Sequence, residues 1–90
     1  MPIAVRIAAT NMSRDDYDKL ITELERSGSG EPQGRVFHAG YGDDEVHMFE
    51  VWDSRESFQP YHDDHMARLQ GAGIDGGIVQ IEPIHNTIRT

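Results

Sequence analysis

The chain contains no cysteine, which excludes a disulfide framework, thiolate catalysis and any zinc site built on cysteine. It also has no apolar run approaching the roughly 18 residues of a membrane-spanning helix. The opening MPIAVRIAAT carries no basic leader, and its apolar stretch is shorter than the roughly 7 to 15 residues of a secretory signal. These absences read as a cytoplasmic protein with no membrane partner. Positive charge is scarce too: 8 Lys and Arg stand against 16 Asp and Glu, a formal charge of -8 at pH 7. The arginines are scattered from Arg6 to Arg89 without a patch or stripe, and so acidic a chain is repelled by phosphate backbones, so no nucleic acid is expected as a partner.

What is present is 90 residues, read as one small domain over 1–90. A chain of this length buries only about 60 to 65% of the surface that its unfolded form exposes, so a partner subunit is a natural source of further buried area. Residues 2–9, PIAVRIAA, alternate Ile3, Val5 and Ile7 with Ala4, Arg6 and Ala8, the period of two of a strand. NMSRDD then supplies a helix start, with Ser13 as N-cap and Asp16 closing a capping box. Tyr17, Leu20, Ile21 and Leu24 give that helix one apolar face, and SGSGEPQG ends it.

RVFHAGY and EVHMFEVW flank GDD and read as a hairpin. If Gly42 and Asp43 are the two turn residues, His38 faces His47 across the pair; a three-residue turn moves the partner of His47 to Ala39. In either register Phe37, Ala39 and Tyr41 share one face of their strand, and Val46, Met48, Glu50 and Trp52 share one face of theirs. A second helix follows, with Asp53 as N-cap and Glu56 as its capping-box partner; Pro60 either kinks it or marks its true start. GAGIDGG closes that helix, and GIVQIEPIH is the last strand, with Pro83 at an edge or beyond the paired length.

The order β-α-β-β-α-β is the ferredoxin-like split repeat, an α+β fold with a four-stranded antiparallel sheet and two helices on one face. Its second sheet face is left bare, and here that face is apolar. Burying it against a second copy gains roughly 25 cal/mol per Å² of apolar area, which predicts a homodimer through the sheet face.

The candidate chemistry gathers in FQPYHDDHMARL. Helical spacing turns Tyr61, His65 and Leu69 to one side with Phe58, brings His62 within about 40 degrees of that stripe, and sends Asp63 and Asp64 to water. Two histidines three apart can share a metal, but the aspartates point elsewhere and no HExxH motif exists, so no metal is expected. An imidazole titrates near pH 6.5, which suits His65 or His62 to proton transfer, with the hydroxyl of Tyr61 or the guanidinium of Arg6 steadying a developing oxyanion. Arg6, set among apolar neighbours, otherwise pairs with Glu50 or Glu82. Trp52 and Phe58, with His38 and His47 on the strands, are the expected lining of a small, mostly apolar ligand pocket.

The segment MFEVWDSRESFQPYHDDHMARLQGAG resembles the dimeric α+β barrel superfamily, particularly the antibiotic biosynthesis monooxygenase-like proteins. In those a strand ends in tryptophan, an acidic or serine turn follows, a WxSxExF segment opens the second helix and a glycine ends it. Trp52, Ser54, Glu56 and Phe58 match, with Gly71 or Gly73 at the close. The resemblance implies a dimeric α+β barrel and an activity among several: a cofactor-free monooxygenase acting on an aromatic compound, an isomerase, a haem-binding protein, or a non-catalytic homodimer. The cofactor-free monooxygenases of this kind use a tryptophan, an asparagine, a tyrosine and an arginine around the substrate. Trp52 stands at the tryptophan position, whereas strand one holds no asparagine and Asn11 lies just beyond its end. In haem-degrading relatives a histidine of the second helix binds haem, a place that His62 or His65 would take. The reading adopted is the cofactor-free one, with no cofactor and a small aromatic ligand.

Overall fold

A computed structural model describes residues 1–28, 30–71 and 75–88, and of residues 75 and 76 the backbone alone. Its elements are β1 (Ile3–Thr10), α1 (Arg14–Arg26), β2 (Arg35–Tyr41), β3 (His47–Trp52), α2 (Arg55–Gly71) and β4 (Asp75–Pro83). The strands form one antiparallel sheet in the order β2-β3-β1-β4. This is the ferredoxin-like α+β arrangement. Gly73, one candidate for the close of α2, lies outside the described residues.

Period-two alternation sets the layers. Ile3, Val5, Ile7 and Ala9 of β1 are buried and share a core with Met48 and Trp52 of β3 and Phe58 and Leu69 of α2. The intervening residues Ala4, Arg6, Ala8 and Thr10 project from the opposite sheet face.

Helix α1 begins as its sequence dictates. Ser13 Oγ accepts from the Asp16 amide at 3.0 Å, and the Ser13 amide donates to Asp16 Oδ2 at 3.3 Å, a reciprocal cap worth about 1 kcal/mol. It ends at Ser27, whose amide donates to the Glu23 carbonyl at 3.0 Å, and Gly28 follows in the left-handed region at φ 84.

Helix α2 departs from expectation in two respects. Its N-cap is Ser54, not Asp53: Ser54 Oγ accepts from the Ser57 amide at 3.2 Å, while the Ser54 carbonyl receives the Phe58 amide at 3.3 Å. The helix also runs through Pro60 and does not start there. Pro60 and Glu56, whose carbonyl it leaves without an amide partner, are both exposed, so that carbonyl stands on the solvent side of the helix.

The hairpin register differs as well. Tyr41 pairs with His47, Ala39 with Phe49 and His38 with Glu50, so neither expected partner of His47, His38 or Ala39, stands opposite it. The connection runs from Gly42 to Val46 because Val46 is drawn into the core and its amide donates to the Met12 carbonyl at 2.8 Å. A residue used that way cannot extend the ladder. At the other end of β2 the register shifts between Arg35 and Phe37. Val36 is the extra, outward residue of this bulge, and Arg35 and His38 consequently point to the same face although they lie three apart.

Candidate functional site

The inner face of β3 carries Met48, Glu50 and Trp52, so a carboxylate sits between two apolar side chains with 1% of its surface exposed. An unpaired charge there would be expensive. Glu50 is met from three directions: His38 Nδ1 lies 2.6 Å from Oε2, Trp52 Nε1 donates to Oε1 at 2.9 Å, and Arg35 NH1 stands 3.5 Å from Oε2. Burial alone would raise its pKa. The hydrogen bonds from His38 and Trp52, with the positive charge of Arg35, outweigh that and hold Glu50 below its ordinary value.

An ionised carboxylate only accepts, so His38 Nδ1 carries the hydrogen, and in the neutral form of the ring it is Nε2 that presents the lone pair. The Tyr17 hydroxyl, from α1, is 2.6 Å from that nitrogen. Glu50, His38 and Tyr17 thus form a carboxylate, imidazole, hydroxyl relay across β3, β2 and α1. Arg35 adds two further contacts, donating from NH2 to the Gly30 carbonyl at 2.6 Å and from NH1 to the Tyr61 hydroxyl at 3.4 Å. Burial, and next the Glu50 charge, push Tyr61 up to about 12, so it stays a hydroxyl.

Beside the relay lies a cleft of about 190 Å³ lined by Tyr17, Ile21, Leu24, Glu25, Gly30, Glu31, Arg35 and His38. A dry cavity of roughly 150 Å³ accommodates a benzene ring. This cleft is therefore of single-ring size, with an apolar wall from α1 and a polar end at His38 and Arg35.

The expected site residues divide. Tyr61 contacts the network through Arg35, and its ring stacks on His65 with centroids 5.7 Å apart. His65 is 3% exposed, and among the described residues neither ring nitrogen has a hydrogen-bond partner. Burial is the main cause that lowers its pKa to about 4. His62 stacks on Phe58 at 5.1 Å, its Nδ1 buried and without a hydrogen-bond partner among the described residues. Trp52 and Phe58 are wholly buried, in edge-to-face contact at 5.5 Å.

Arg6 and His47 stand apart from this group. Arg6 pairs in the ladder with Phe49 and Gln80, is exposed, and projects from the face away from Glu50. Among the described residues it makes no ion pair, and the guanidinium that meets Glu50 is that of Arg35. His47 lies on the same outer face, against Tyr41 with ring centroids 5.8 Å apart. Among the described residues no group of three or more His, Asp or Glu could hold a metal ion, and no helix is long and apolar enough to cross a membrane.

Tyr17, Arg35 and Glu50 are the members that the sequence reading did not assign to the site. Glu50 had a signal, a carboxylate at an inward position between Met48 and Trp52, since a buried polar group is more informative than an exposed apolar one. Arg35 had none, because its inward direction depends on the bulge.

The fold places the chain among ferredoxin-like α+β proteins whose solved examples include antibiotic biosynthesis monooxygenase-like structures. SnoaB, described as a cofactor-independent oxygenase from Streptomyces nogalater, superimposes with a TM-score of 0.60 at 13% identity, over 99% of this chain and 96% of its own. A Deinococcus radiodurans protein provisionally described as an antibiotic biosynthesis monooxygenase gives 0.61 at 11% identity, over 100% and 98%. The protein YjcS gives 0.64 at 11% identity, over 94% and 100%. At these identities the likeness establishes a shared fold. No family model matches the sequence, and no curated protein does.

Proposed function

We propose that the protein is a cofactor-free, monooxygenase-like enzyme that acts on a small aromatic compound, with His38 as proton acceptor. The observation that carries this reading is the His38 imidazole held between Glu50 and Tyr17 beside a single-ring cleft. In this chemistry the substrate itself is the reductant. His38 removes a proton from a phenol conjugated to a CH2 group, and the resulting anion gives one electron to O2. The radical pair joins as a C–O bond, and the peroxide loses water. The balance is CH2 plus O2 to C=O plus H2O. Protonated His38 and the Arg35 guanidinium then face the anionic oxygen.

His65, expected to be the base, suits that role less: with its pKa lowered to about 4 it takes up few protons near neutrality. Arg6, expected to steady the oxyanion, is replaced in this scheme by Arg35. Oxygen consumption with a panel of one-ring and fused-ring phenols tests the reading. Uptake is expected with the native protein and with His65→Leu, and is expected to vanish in His38→Gln. Unchanged turnover in His38→Gln removes His38 from the mechanism.

The working unit in this proposal is a homodimer joined through the outer sheet face. Phe37 is 52% and Ile78 68% exposed there, and Phe37 meets Phe49 edge-on at 6.3 Å. Apolar side chains gathered on one face favour burial against a second copy. Light scattering is expected to give about twice the monomer mass of 10.2 kDa; the monomer mass at micromolar protein refutes it.

A second reading, a small-molecule-binding dimer without turnover, draws on the solid packing of Trp52 and Phe58, which fill the space beneath α2. Ligand binding with no oxygen uptake across the panel selects it.

A further inference from the structure

The hydroxyl on His38 Nε2 belongs to the protein itself, and its geometry is informative. The Tyr17 and His38 rings are within 8° of parallel, with centroids 5.9 Å apart and the hydroxyl 2.6 Å from Nε2. At that separation the two rings are displaced from one another and meet through the hydroxyl, so the phenol reaches the imidazole at its Nε2 rim and does not cover its face. This is the direction from which a proton is delivered to a neutral histidine.

Two features keep the phenol there and leave it free to go. Its outer end lies across β2 at Gly40, where a Cβ atom would come within 2.5 Å of Tyr17 Cζ and 2.7 Å of its hydroxyl oxygen. The glycine makes room for the ring, an instance of strand glycine allowing close approach. Tyr17 also lines two clefts, the one of about 190 Å³ beside Arg35 and His38 and another of about 290 Å³ bordered by Arg14, Asp18, Gly40 and Tyr41. Its side chain is half-buried, and swinging it aside would open Nε2 to both spaces.

We propose that Tyr17 is a resident stand-in for the substrate: the acidic hydroxyl of a flat phenol or enol displaces the Tyr17 phenol from His38 Nε2, and Tyr17 thereby sets which rings are admitted. The inference rests on the reading of His38 as the proton acceptor. The exchange replaces one O–H···N bond by another, so nothing polar is left unpaired at Nε2. A hydroxyl more acidic than that of tyrosine makes the stronger bond to an imidazole and wins the exchange. Burial raises Tyr17 above its ordinary pKa, which widens that difference. The two clefts flanking Tyr17 suit a substrate longer than one ring once the side chain has moved.

The test uses 4-nitrophenol and its methyl ether, 4-nitroanisole, as probes of equal ring size, only one of which has a hydroxyl. Tyr17→Phe keeps the ring and removes the internal competitor. A hydrogen bond of net worth about 1 kcal/mol corresponds to a change of about fivefold in affinity. Binding of 4-nitrophenol is therefore expected to tighten about fivefold in Tyr17→Phe, with the yellow phenolate absorbance growing as the complex forms, while binding of the ether stays unchanged. His38→Gln is expected to abolish the preference for the phenol over the ether. The inference is overturned if Tyr17→Phe binds 4-nitrophenol no more tightly than the native protein, or if the ether gains equally. Oxygen uptake is a separate readout: phenol binding as described without oxygen consumption sinks the oxygenase alone, and oxygen consumption with no gain in Tyr17→Phe sinks this inference alone.

Discussion

Glu50→Gln is the substitution with the largest consequence to work out. It preserves the shape of the side chain and an acceptor for Trp52 Nε1, but it removes the negative charge that Arg35 and His38 face. Taking away one member of a buried ion pair costs about 3–5 kcal/mol, because the charge left behind has no partner. Arg35 retains its bond to the Gly30 carbonyl, and its side chain keeps 14% of its exposure, which places the cost at the lower end, about 3 kcal/mol. In a domain of this size 1 kcal/mol moves the melting temperature by about 4–8 °C, so a fall of about 12–24 °C is expected near neutrality. The acid side gives a second signature. The pKa of Glu50 is lower folded than unfolded, so its contribution is complete above the unfolded value of 4.5 and is lost as pH falls through the folded one. The variant lacks that group, so the gap between the two proteins should close in acid. Thermal melts followed by circular dichroism from neutral to acid pH measure both effects. A fall of less than about 4 °C near neutrality, or a gap that stays constant into acid, would mean that Glu50 is not the charge that balances Arg35.

His65→Leu should act in the opposite direction, raising stability near neutrality by about 1 kcal/mol, since it removes two buried ring nitrogens that have no hydrogen-bond partner among the described residues. The pKa of His65 is depressed from 6.5 to about 4 by burial, with His62 and His38 also lowering it against Glu50 and Asp64. The folded protein therefore loses about 3 kcal/mol relative to the unfolded chain as pH falls through that interval, and the leucine variant should not, as melts across it would show. Gly77→Ala should cost about 3 kcal/mol or more by chemical denaturation: at φ 69 an added Cβ would run into the Ala8 carbonyl oxygen opposite, beside the bulge between Ala8 and Thr10. Phe37→Asp, on the outer sheet face, should shift the mass by light scattering from the dimer to 10.2 kDa while leaving the circular dichroism spectrum unchanged; an unshifted mass would remove that face from the interface.

The elements were legible in the sequence because each is specified locally. The Ser13 and Asp16 cap, the apolar spacing of α1 and the alternation along β1 need no tertiary information, and all appear as read. The site was less legible because it depends on register, which alternation does not fix. The hairpin loop is lengthened by Val46, whose burial with Met12 competes with strand pairing. That shift brings Glu50, and not His47, opposite His38. The bulge at Val36 acts in the same way. In an uninterrupted strand Arg35 and His38 would project from opposite faces, and the cation would be lost from the vicinity of Glu50. One extra residue puts both on the inner side, with Arg35 close enough to reach Glu50, Gly30 and Tyr61. The helix-two histidines, conspicuous in sequence, pack among aromatic rings, whereas the polar network is assembled from single residues of β2, β3 and α1 that look ordinary one at a time. A carboxylate at an inward strand position and a glycine within the neighbouring strand are the two local irregularities that mark it, though neither was read as part of a site in the sequence. Each is costly unless something opposite requires it: Arg35 and His38 for the carboxylate, the Tyr17 ring for the glycine.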